Sequence, residues 1–217
     1  MNTNEWFSKS LKRLNMVKAH MTAGSLSALT LPEYPKLTLE DLIGKELDQE
    51  LLNVDKKHWD IIKKSRGRYM LFQDLKYGST WSLDKEKSGG QLMSTMDNKS
   101  GLKVMYRKII FNVPMEKAIA FIKDSDMMFE INDTIKEWRR VEECGLETCY
   151  YYYVLKGNML VSDRDLSLVT HCFSLPDGRF MSMSFSTVHP KLSTVKGRVR
   201  ANINISAYLI TPIDKTR

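Results

Sequence analysis

Cysteine and histidine are few in this chain, with three and four residues, and their spacing forms no recognisable catalytic or metal centre. His171 and Cys172 are adjacent in a strand-like segment, so their side chains point to opposite faces and cannot form a dyad. Cys144 and Cys149 flank a predicted hairpin turn, where they can face each other as a disulfide or as half of a zinc site. The other histidines are scattered: His20, His58 and His189. Because the sequence shows no second half-site, we expect free thiols, no metal and no cofactor.

Charged residues mark the starts of predicted strands, where they can build a structural ion pair. Arg164 and Asp165 open one strand, and Arg200 lies in a later one. We expect Asp165 to pair with an arginine across the sheet, preferably Arg200. A paired and partly buried charge usually stabilises structure, so ligand binding is the less favoured role for these three residues.

The second half of the chain predicts an antiparallel sheet. Its strand-like runs are Thr148–Leu155, Asp165–Phe173, Arg179–Thr187 and Arg198–Ile210. Residues that favour turns separate the runs: Gly157-Asn158, Pro176-Asp177-Gly178 and His189-Pro190. In the third run Met181, Met183 and Phe185 alternate with serines, and the fourth run alternates in the same way. One face is therefore expected to be wet, while a helix, a second sheet layer or a ligand covers the other.

The first half predicts helices as well as strands. A long helix is expected to begin at Thr38, whose hydroxyl caps the first turn together with Asp41, and to continue past Ile61. His58 lies on its apolar face and is expected to be buried. A second helix follows Pro114. Strands are expected at Trp81–Glu86, Gln91–Met96, Lys103–Phe111 and around Lys136–Glu142. This order predicts an α+β fold with helices on one side of an antiparallel sheet.

Composition narrows the class of protein and its location. The 217 residues suit one domain with a tail, which we place at 38–217 and 1–37. Three cysteines without a secretory signal favour a reducing, cytoplasmic location, with peripheral membrane contact as an option. The segment from Glu5 to Met21 is basic and amphipathic, a pattern that suits a membrane interface or a mitochondrial presequence. A frayed terminus is the simpler interpretation of this segment.

Net charge narrows the choice of partner. A formal charge of +7 suggests an anionic partner, either nucleic acid or an acidic membrane, while a merely basic surface explains the charge equally well; the partner we predict is an anionic membrane surface in transient contact. Aromatic and basic residues interleave at Arg66-Gly67-Arg68-Tyr69, but no nucleic-acid-binding module accompanies them. We therefore predict no nucleic-acid partner.

Several segments around the predicted strands together resemble a known family. They are Val161-Ser162-Asp163-Arg164-Asp165-Leu166, Pro176-Asp177-Gly178-Arg179, Ser186-Thr187-Val188-His189-Pro190 and Lys196-Gly197-Arg198-Val199-Arg200-Ala201. The chain from about residue 38 to 217 resembles the START lipid-transfer domains. That resemblance implies a helix-grip fold, in which a curved antiparallel sheet wraps a long helix around an apolar cavity for one lipid. The family's final strand and its C-terminal helix would lie beyond Arg217, so the sequence resembles a C-terminally short member.

The resemblance also implies a function without catalysis, which is lipid binding and transfer. Strand alternation supplies the candidate lipid-binding residues: Tyr151, Tyr153, Leu155, Leu166, Leu168, Thr170, Met181, Met183, Phe185, Val199, Ala201, Ile203 and Ile205. From alternation alone these residues suit a core packed against a helix, and the resemblance favours a ligand. Tyr151 and Thr170 stand where some sterol-binding members bury an acid and an arginine, so phospholipid is slightly favoured over sterol. The alternatives are a START-like scaffold that loads no lipid and a helix-grip enzyme acting on a small molecule.

Overall fold

The structure is a computed structural model that describes residues 33–87, 90–130, 132–158 and 161–213. The helices in these residues are α1 (Leu39–Ile43), α2 (Lys45–Leu51), α3 (Trp59–Gly78), α4 (Met115–Lys123) and α5 (Ser125–Glu130), with a 3-10 turn at Lys56–His58. The strands are β1 (Ser82–Lys87), β2 (Gly90–Met96), β3 (Lys103–Ile109), β4 (Ile135–Gly145), β5 (Thr148–Leu155), β6 (Arg164–Ser174), β7 (Phe180–Ser186), β8 (Val199–Arg200) and β9 (Ser206–Ile210). The predicted helix at Glu5–Met21 lies outside the described residues.

The strands form two sheets. β1, β2 and β3 pair in that order, and both pairings are antiparallel. The larger sheet has the order β4-β5-β6-β7-β9 with antiparallel neighbours, and the short β8 runs parallel to β6. The predicted α+β fold with an antiparallel sheet is confirmed. The expectation that helices lie on one side only is wrong, because α3 and α4 contact opposite faces of the larger sheet.

The helical segment that begins at Thr38 is interrupted, whereas the sequence predicts one long helix. The predicted capping box is present, since Thr38 Oγ1 accepts from the Asp41 backbone N–H and Asp41 accepts from the Thr38 N–H at 2.6 Å. Gly44 then ends α1 in an extended conformation, with no room for a Cβ beside the Glu40 carbonyl oxygen. The separate helix α2 can therefore pack Leu47 and Leu51 against Ile62 of α3, which a straight helix would prevent.

The long helix α3 covers one face of the larger sheet, which we call the helix face. Tyr69 of α3 packs in one buried cluster with Phe173 of β6 and with Met181 and Met183 of β7. The ring of Phe185 lies 4.8 Å from the Arg68 guanidinium of the same helix. The prediction that Met181, Met183 and Phe185 line the same surface as Tyr151 is therefore wrong.

The last predicted strand, Arg198–Ile210, divides into β8, a connecting segment and β9. β8 pairs with β6 and β9 pairs with β7, so the chain must cross between neighbouring strands. Two hydrogen bonds to Ser186 hold this crossing: the Ile203 carbonyl oxygen accepts from the Ser186 backbone N–H at 2.8 Å, and the Ile203 N–H donates to Ser186 Oγ at 2.8 Å. Ala201 and Ile203 thus lie in the connection, and Ile205 packs beside the core cluster on the helix face. The strand alternation assumed for these residues is absent, and Val199 is 52% exposed.

His171 is a fully buried histidine between β6 and α3. Its Nε2 accepts from Arg66 Nε at 3.4 Å, which places the ring proton on Nδ1, where it donates to Thr148 Oγ1 at 2.6 Å. Burial, reinforced by the positive charge of Arg66, lowers the pKa of His171 from 6.5 to about 3. The imidazole is therefore neutral at physiological pH and acts as a structural group.

We expect the burial of His171 to make the fold less stable in mild acid. An unfolded chain binds a proton on this histidine below about pH 6.5, whereas the folded chain does so only near its lowered pKa, so stability is lost as the pH falls from 6.5 towards 3. The loss from this group between pH 7 and pH 5 is about 2 kcal/mol. Urea titrations at the two pH values measure it, and His171→Gln should reduce the difference by that amount. An NMR titration in which the His171 ring protonates above pH 5 would contradict the assignment.

Candidate functional site

The face of the larger sheet opposite α3 carries a cleft, and we call this face the cleft face. Strand pairing sets Tyr151 of β5 opposite Leu168 of β6, and sets Thr170 and Cys172 of β6 opposite Ser184 and Ser182 of β7. Helix α4 and the start of α5 border the cleft, which has a volume of about 290 Å³. Its lining residues are Ile122, Lys123, Ser125, Arg140, Glu143, Gly145, Glu147, Thr148, Cys149, Tyr151, Thr170 and Cys172.

An aromatic cluster forms one wall beside this cleft. Phe129 of α5 stacks on Trp138 of β4 with ring centroids 4.1 Å apart, and it meets the edge of Tyr153 at 4.7 Å. Tyr151 lies 6.1 Å from Phe129 and 6.0 Å from Tyr153. Period-two alternation in β5 brings the two tyrosines to the same face, and α5 then supplies the phenylalanine that joins them. The result is an aromatic cluster next to the cleft, and Tyr151 belongs to both.

Hydroxyl groups line the sheet beneath this wall. Ser125 Oγ and Tyr151 Oη are 2.8 Å apart, and Thr170 Oγ1 and Ser184 Oγ are also 2.8 Å apart. Burial raises the pKa of both Tyr151 and Tyr153 above the ordinary value for tyrosine, so both phenols stay protonated. These hydroxyls are neutral hydrogen-bonding groups that can orient a polar part of a ligand.

Two cations stand at the rim of the cleft, each beside a carboxylate. Lys123 Nζ of α4 donates to Glu147 Oε1 at 2.8 Å, and Arg140 of β4 pairs with Glu143. The Arg140 guanidinium is charged at every physiological pH. Both pairs are exposed to solvent, where an ion pair contributes little and a competing anion can displace the carboxylate.

The structure places the predicted lipid-binding residues on two faces. Register puts six of them on the cleft face: Tyr151, Tyr153, Leu155, Leu166, Leu168 and Thr170. Four are on the helix face: Met181, Met183, Phe185 and Ile205. The remaining three lie in β8 or in the connection to β9: Val199, Ala201 and Ile203. Contact of the cleft-face residues with lipid stays a prediction.

Several residues of the cleft and of the adjoining aromatic cluster are missing from the sequence-based list. Phe129 and Ser125 come from α5, and Trp138 and Arg140 come from β4, segments that were assigned to no site. The alternation in β7 predicts that its serines face solvent, but Ser182 is only 5% exposed. The sequence did hold a signal for such polar residues, because Thr170 on β6 lies on the same predicted face as Leu166 and Leu168. This face therefore accepts hydroxyl groups among its apolar side chains.

The predicted ion pair is present on the helix face. Arg200 donates to both oxygens of Asp165 at 2.9 Å, and Tyr152 Oη donates to Asp165 Oδ2 at 3.1 Å. Asp165 is 1% exposed, and hydrogen bonding from Arg200 lowers the pKa of this carboxyl. Arg164, the third residue of the predicted set, is exposed and lies outside this arrangement.

The three cysteines are buried free thiols, as the sequence favoured. Burial raises the pKa of Cys144 to about 12 and also raises that of Cys149 and Cys172, so all three stay protonated at neutral pH. Within the described residues, no three His, Cys, Asp or Glu side chains come together as metal ligands. In the same residues, no helix is long and apolar enough to cross a membrane.

Comparison with known proteins agrees with this geometry. The sequence profile of the START domain matches residues 75–217. The chain belongs to the START domain family. The resemblance drawn from the segments around Arg164-Asp165 and Arg198-Val199-Arg200 is thereby confirmed. The match begins inside α3, so the domain boundary at residue 38 stays a prediction.

Solved START domains share the fold at low sequence identity. Human STARD10 is 17% identical with a TM-score of 0.57, and the match covers 66% of this chain and 59% of that one. Human StAR-related lipid transfer protein 5 is 14% identical with a TM-score of 0.58, over 67% of this chain and 71% of that one. The human StarD13 (DLC2) lipid transfer and protein localization domain is 21% identical with a TM-score of 0.51, over 65% and 76% of the two chains. A search of curated protein sequences found no match to this START domain.

Proposed function

We propose that this START domain binds one lipid at the cleft face and transfers it between membranes without catalysing a reaction. The observation that carries the proposal is the cleft between α4, α5 and the strand face of Tyr151 and Thr170, with hydroxyl groups in its lining and an aromatic cluster beside it. A lipid that leaves a bilayer exposes hydrocarbon to water at a cost of about 0.8 kcal/mol per CH₂. An apolar protein surface removes part of that cost, so exchange is accelerated although no bond is made or broken.

We favour a phospholipid over a sterol. Lys123 and Arg140 stand at the rim of the cleft, where either can approach a phosphate once its carboxylate partner is displaced. The hydroxyls of Ser125 and Thr170 line the cleft, where they can donate hydrogen bonds to the glycerol or ester oxygens of a phospholipid. The described cleft is smaller than a whole phospholipid, so in this proposal it receives the head group while the acyl chains lie along the aromatic wall.

The site of action proposed here is cytoplasmic, with transient contact to anionic membranes. The formal charge of +7 favours such contact, because each Lys or Arg near an anionic bilayer contributes about 1 kcal/mol. A mitochondrial location is the alternative, and it rests on the basic pattern of residues 5–21. Localisation of the full chain fused to a fluorescent protein, with and without residues 1–32, distinguishes the two.

The proposed function is tested by native mass spectrometry and by a transfer assay with the full chain. We expect a bound species with the mass of a phospholipid after gentle purification, and accelerated movement of phosphatidylcholine between vesicles. A parallel assay with cholesterol should show slower exchange. Cholesterol exchange faster than that of phosphatidylcholine would overturn the phospholipid preference. A chain that carries no lipid and exchanges neither lipid is a scaffold, which would overturn the transfer proposal itself.

We expect Thr170→Trp to reduce phosphatidylcholine transfer at least tenfold. The indole would fill the cleft beside Tyr151 and Ser184, where a ligand must enter. Ser174→Trp is the matched control, because Ser174 lies on the same strand and the same face but is exposed beyond the lining of the cleft. Transfer rates and circular dichroism spectra of both variants give the comparison. Equal transfer by the two folded variants would show that the ligand does not enter here.

A further inference from the structure

A second cleft lies on the opposite side of the sheet, and its lining is basic. It has a volume of about 260 Å³ and is bordered by β4, β5 and the segment that leads from His189 to Arg198. The charged residues that line it are Glu137, Arg139, Lys191 and Arg198. We call it the basic cleft, and these three cations and one carboxylate leave it with a net positive charge.

Buried hydrogen-bonding groups beneath the basic cleft fix the position of Arg198. Arg198 donates to Tyr152 Oη at 3.0 Å, and that hydroxyl in turn donates to Asp165. Asp165 also accepts two hydrogen bonds from Arg200. Tyr152 is 6% exposed, so its hydroxyl is a fixed support for the Arg198 guanidinium. Buried protein groups therefore orient this guanidinium before any ligand arrives, and little side-chain entropy remains to be lost on binding.

The other cations surround the same opening with different constraints. Arg139 of β4 lies over the ring of Tyr152, with its guanidinium carbon 5.3 Å from the ring centroid. Lys191 Nζ contacts Glu142 Oε2 at 3.1 Å, and Glu142 is shared with Lys57, so its charge does not neutralise Lys191 alone. The planar guanidinium groups of Arg139 and Arg198 and the nearby ammonium group of Lys191 suit a tetrahedral oxyanion that accepts several hydrogen bonds.

The carboxylate of Glu137 occupies the position that an external anion would take. Arg198 donates to Glu137 Oε1 at 2.7 Å, yet the Glu137 side chain is 48% exposed. A half-exposed carboxylate is weakly held and can be displaced by a more highly charged anion.

We propose that the basic cleft binds a phosphate group through Arg139, Lys191 and Arg198, with Glu137 as the resident carboxylate that the phosphate displaces. This site lies on the opposite face from the cleft of Tyr151 and Thr170, and it does not depend on lipid transfer. The phosphate can belong to a lipid head group or to a free phosphate ion, and the two sources require separate measurements.

The experiment uses the full chain and titrates inorganic phosphate at constant ionic strength. Glu137→Gln removes the competitor and should tighten phosphate binding about fivefold, whereas Arg139→Gln should weaken it by a similar factor. Arg164→Gln is the control, because it removes the same charge from an exposed arginine that lines neither cleft. Arg139 is exposed, and thermal melting should show the variant folded.

A second arm identifies the source of the phosphate. Vesicles of phosphatidylcholine with a minor fraction of phosphatidic acid replace inorganic phosphate in a co-sedimentation assay. The same opposite responses of Glu137→Gln and Arg139→Gln on these vesicles assign the site to a phospholipid head group, whereas responses to inorganic phosphate alone assign it to a free ion. The proposal is overturned if inorganic phosphate shows no saturable binding, or if Arg164→Gln changes the affinity for phosphate as much as Arg139→Gln does.

Discussion

Asp165→Ala is expected to lower the free energy of unfolding by about 3–5 kcal/mol, the range for breaking a buried ion pair. Asp165 accepts two hydrogen bonds from Arg200 and one from Tyr152, and all three donors would lose their common acceptor. Arg200 also donates to the Ser193 carbonyl at 3.0 Å, so the pair fastens the segment before β8 to the start of β6. Without the carboxylate, the charge of Arg200 would be unpaired, and the segment before β8 would lose its link to β6.

Urea denaturation of the wild type and variant measures this loss. Arg164→Ala is the control, because Arg164 is the adjacent residue on β6 but is exposed, and surface substitutions usually stay within about 0.5 kcal/mol. Asp165→Ala combined with Arg200→Ala should cost less than the sum of the single changes, since the two side chains interact directly. Strict additivity, or equal stability of the two single alanine variants at Asp165 and Arg164, would show that the pair is energetically unimportant.

Arg179→Ala should be comparably damaging, with a loss of about 3–5 kcal/mol. Arg179 follows the β6–β7 turn and is 1% exposed, although it carries a full charge. Its Nε donates to Asp177 Oδ2 at 2.9 Å, and its guanidinium carbon lies 4.6 Å from the centroid of the Tyr34 ring. Tyr69 of α3 lies close to the same guanidinium and interacts with it electrostatically. The Arg179 side chain thus joins the β6–β7 hairpin, the segment before α1 and the long helix α3. Alanine would leave the Asp177 carboxylate without its ion-pair partner.

The comparison of Arg179→Lys with Arg179→Ala separates charge from geometry. Lysine keeps the positive charge but lacks the planar fork that bonds to Asp177 and stacks on Tyr34, so we expect it to recover only part of the loss. Lys196→Ala, a change at an exposed lysine, serves as the surface control. Urea midpoints for all three variants, at equal slope, test the prediction. An Arg179→Ala midpoint equal to that of Lys196→Ala would contradict it.

Local patterns in the sequence were sufficient for three strands of the larger sheet and for the ion pair. Strand-like runs bounded by turn residues located β5, β6 and β7 to within a residue or two, because both signals lie in neighbouring residues. The Thr38 capping box was equally local and was found as predicted. Asp165 and Arg200 were paired correctly because a charge at a strand start needs a nearby partner, and the short parallel pairing of β8 with β6 supplies it.

Long-range packing decided which side of each strand meets which neighbour. Alternation sorts Met183 and Ser184 onto opposite faces, but it does not say that α3 covers the methionine side and α4 approaches the serine side. The same limit applies to Arg198–Ile210, whose apolar alternation continues through a segment that must leave β6 and reach β7. Phe129 joined the aromatic cluster beside the cleft only because α5 folds over β4 and β5. Such contacts join residues far apart in the chain, so their free energy depends on the whole fold and leaves no periodic trace in the local sequence.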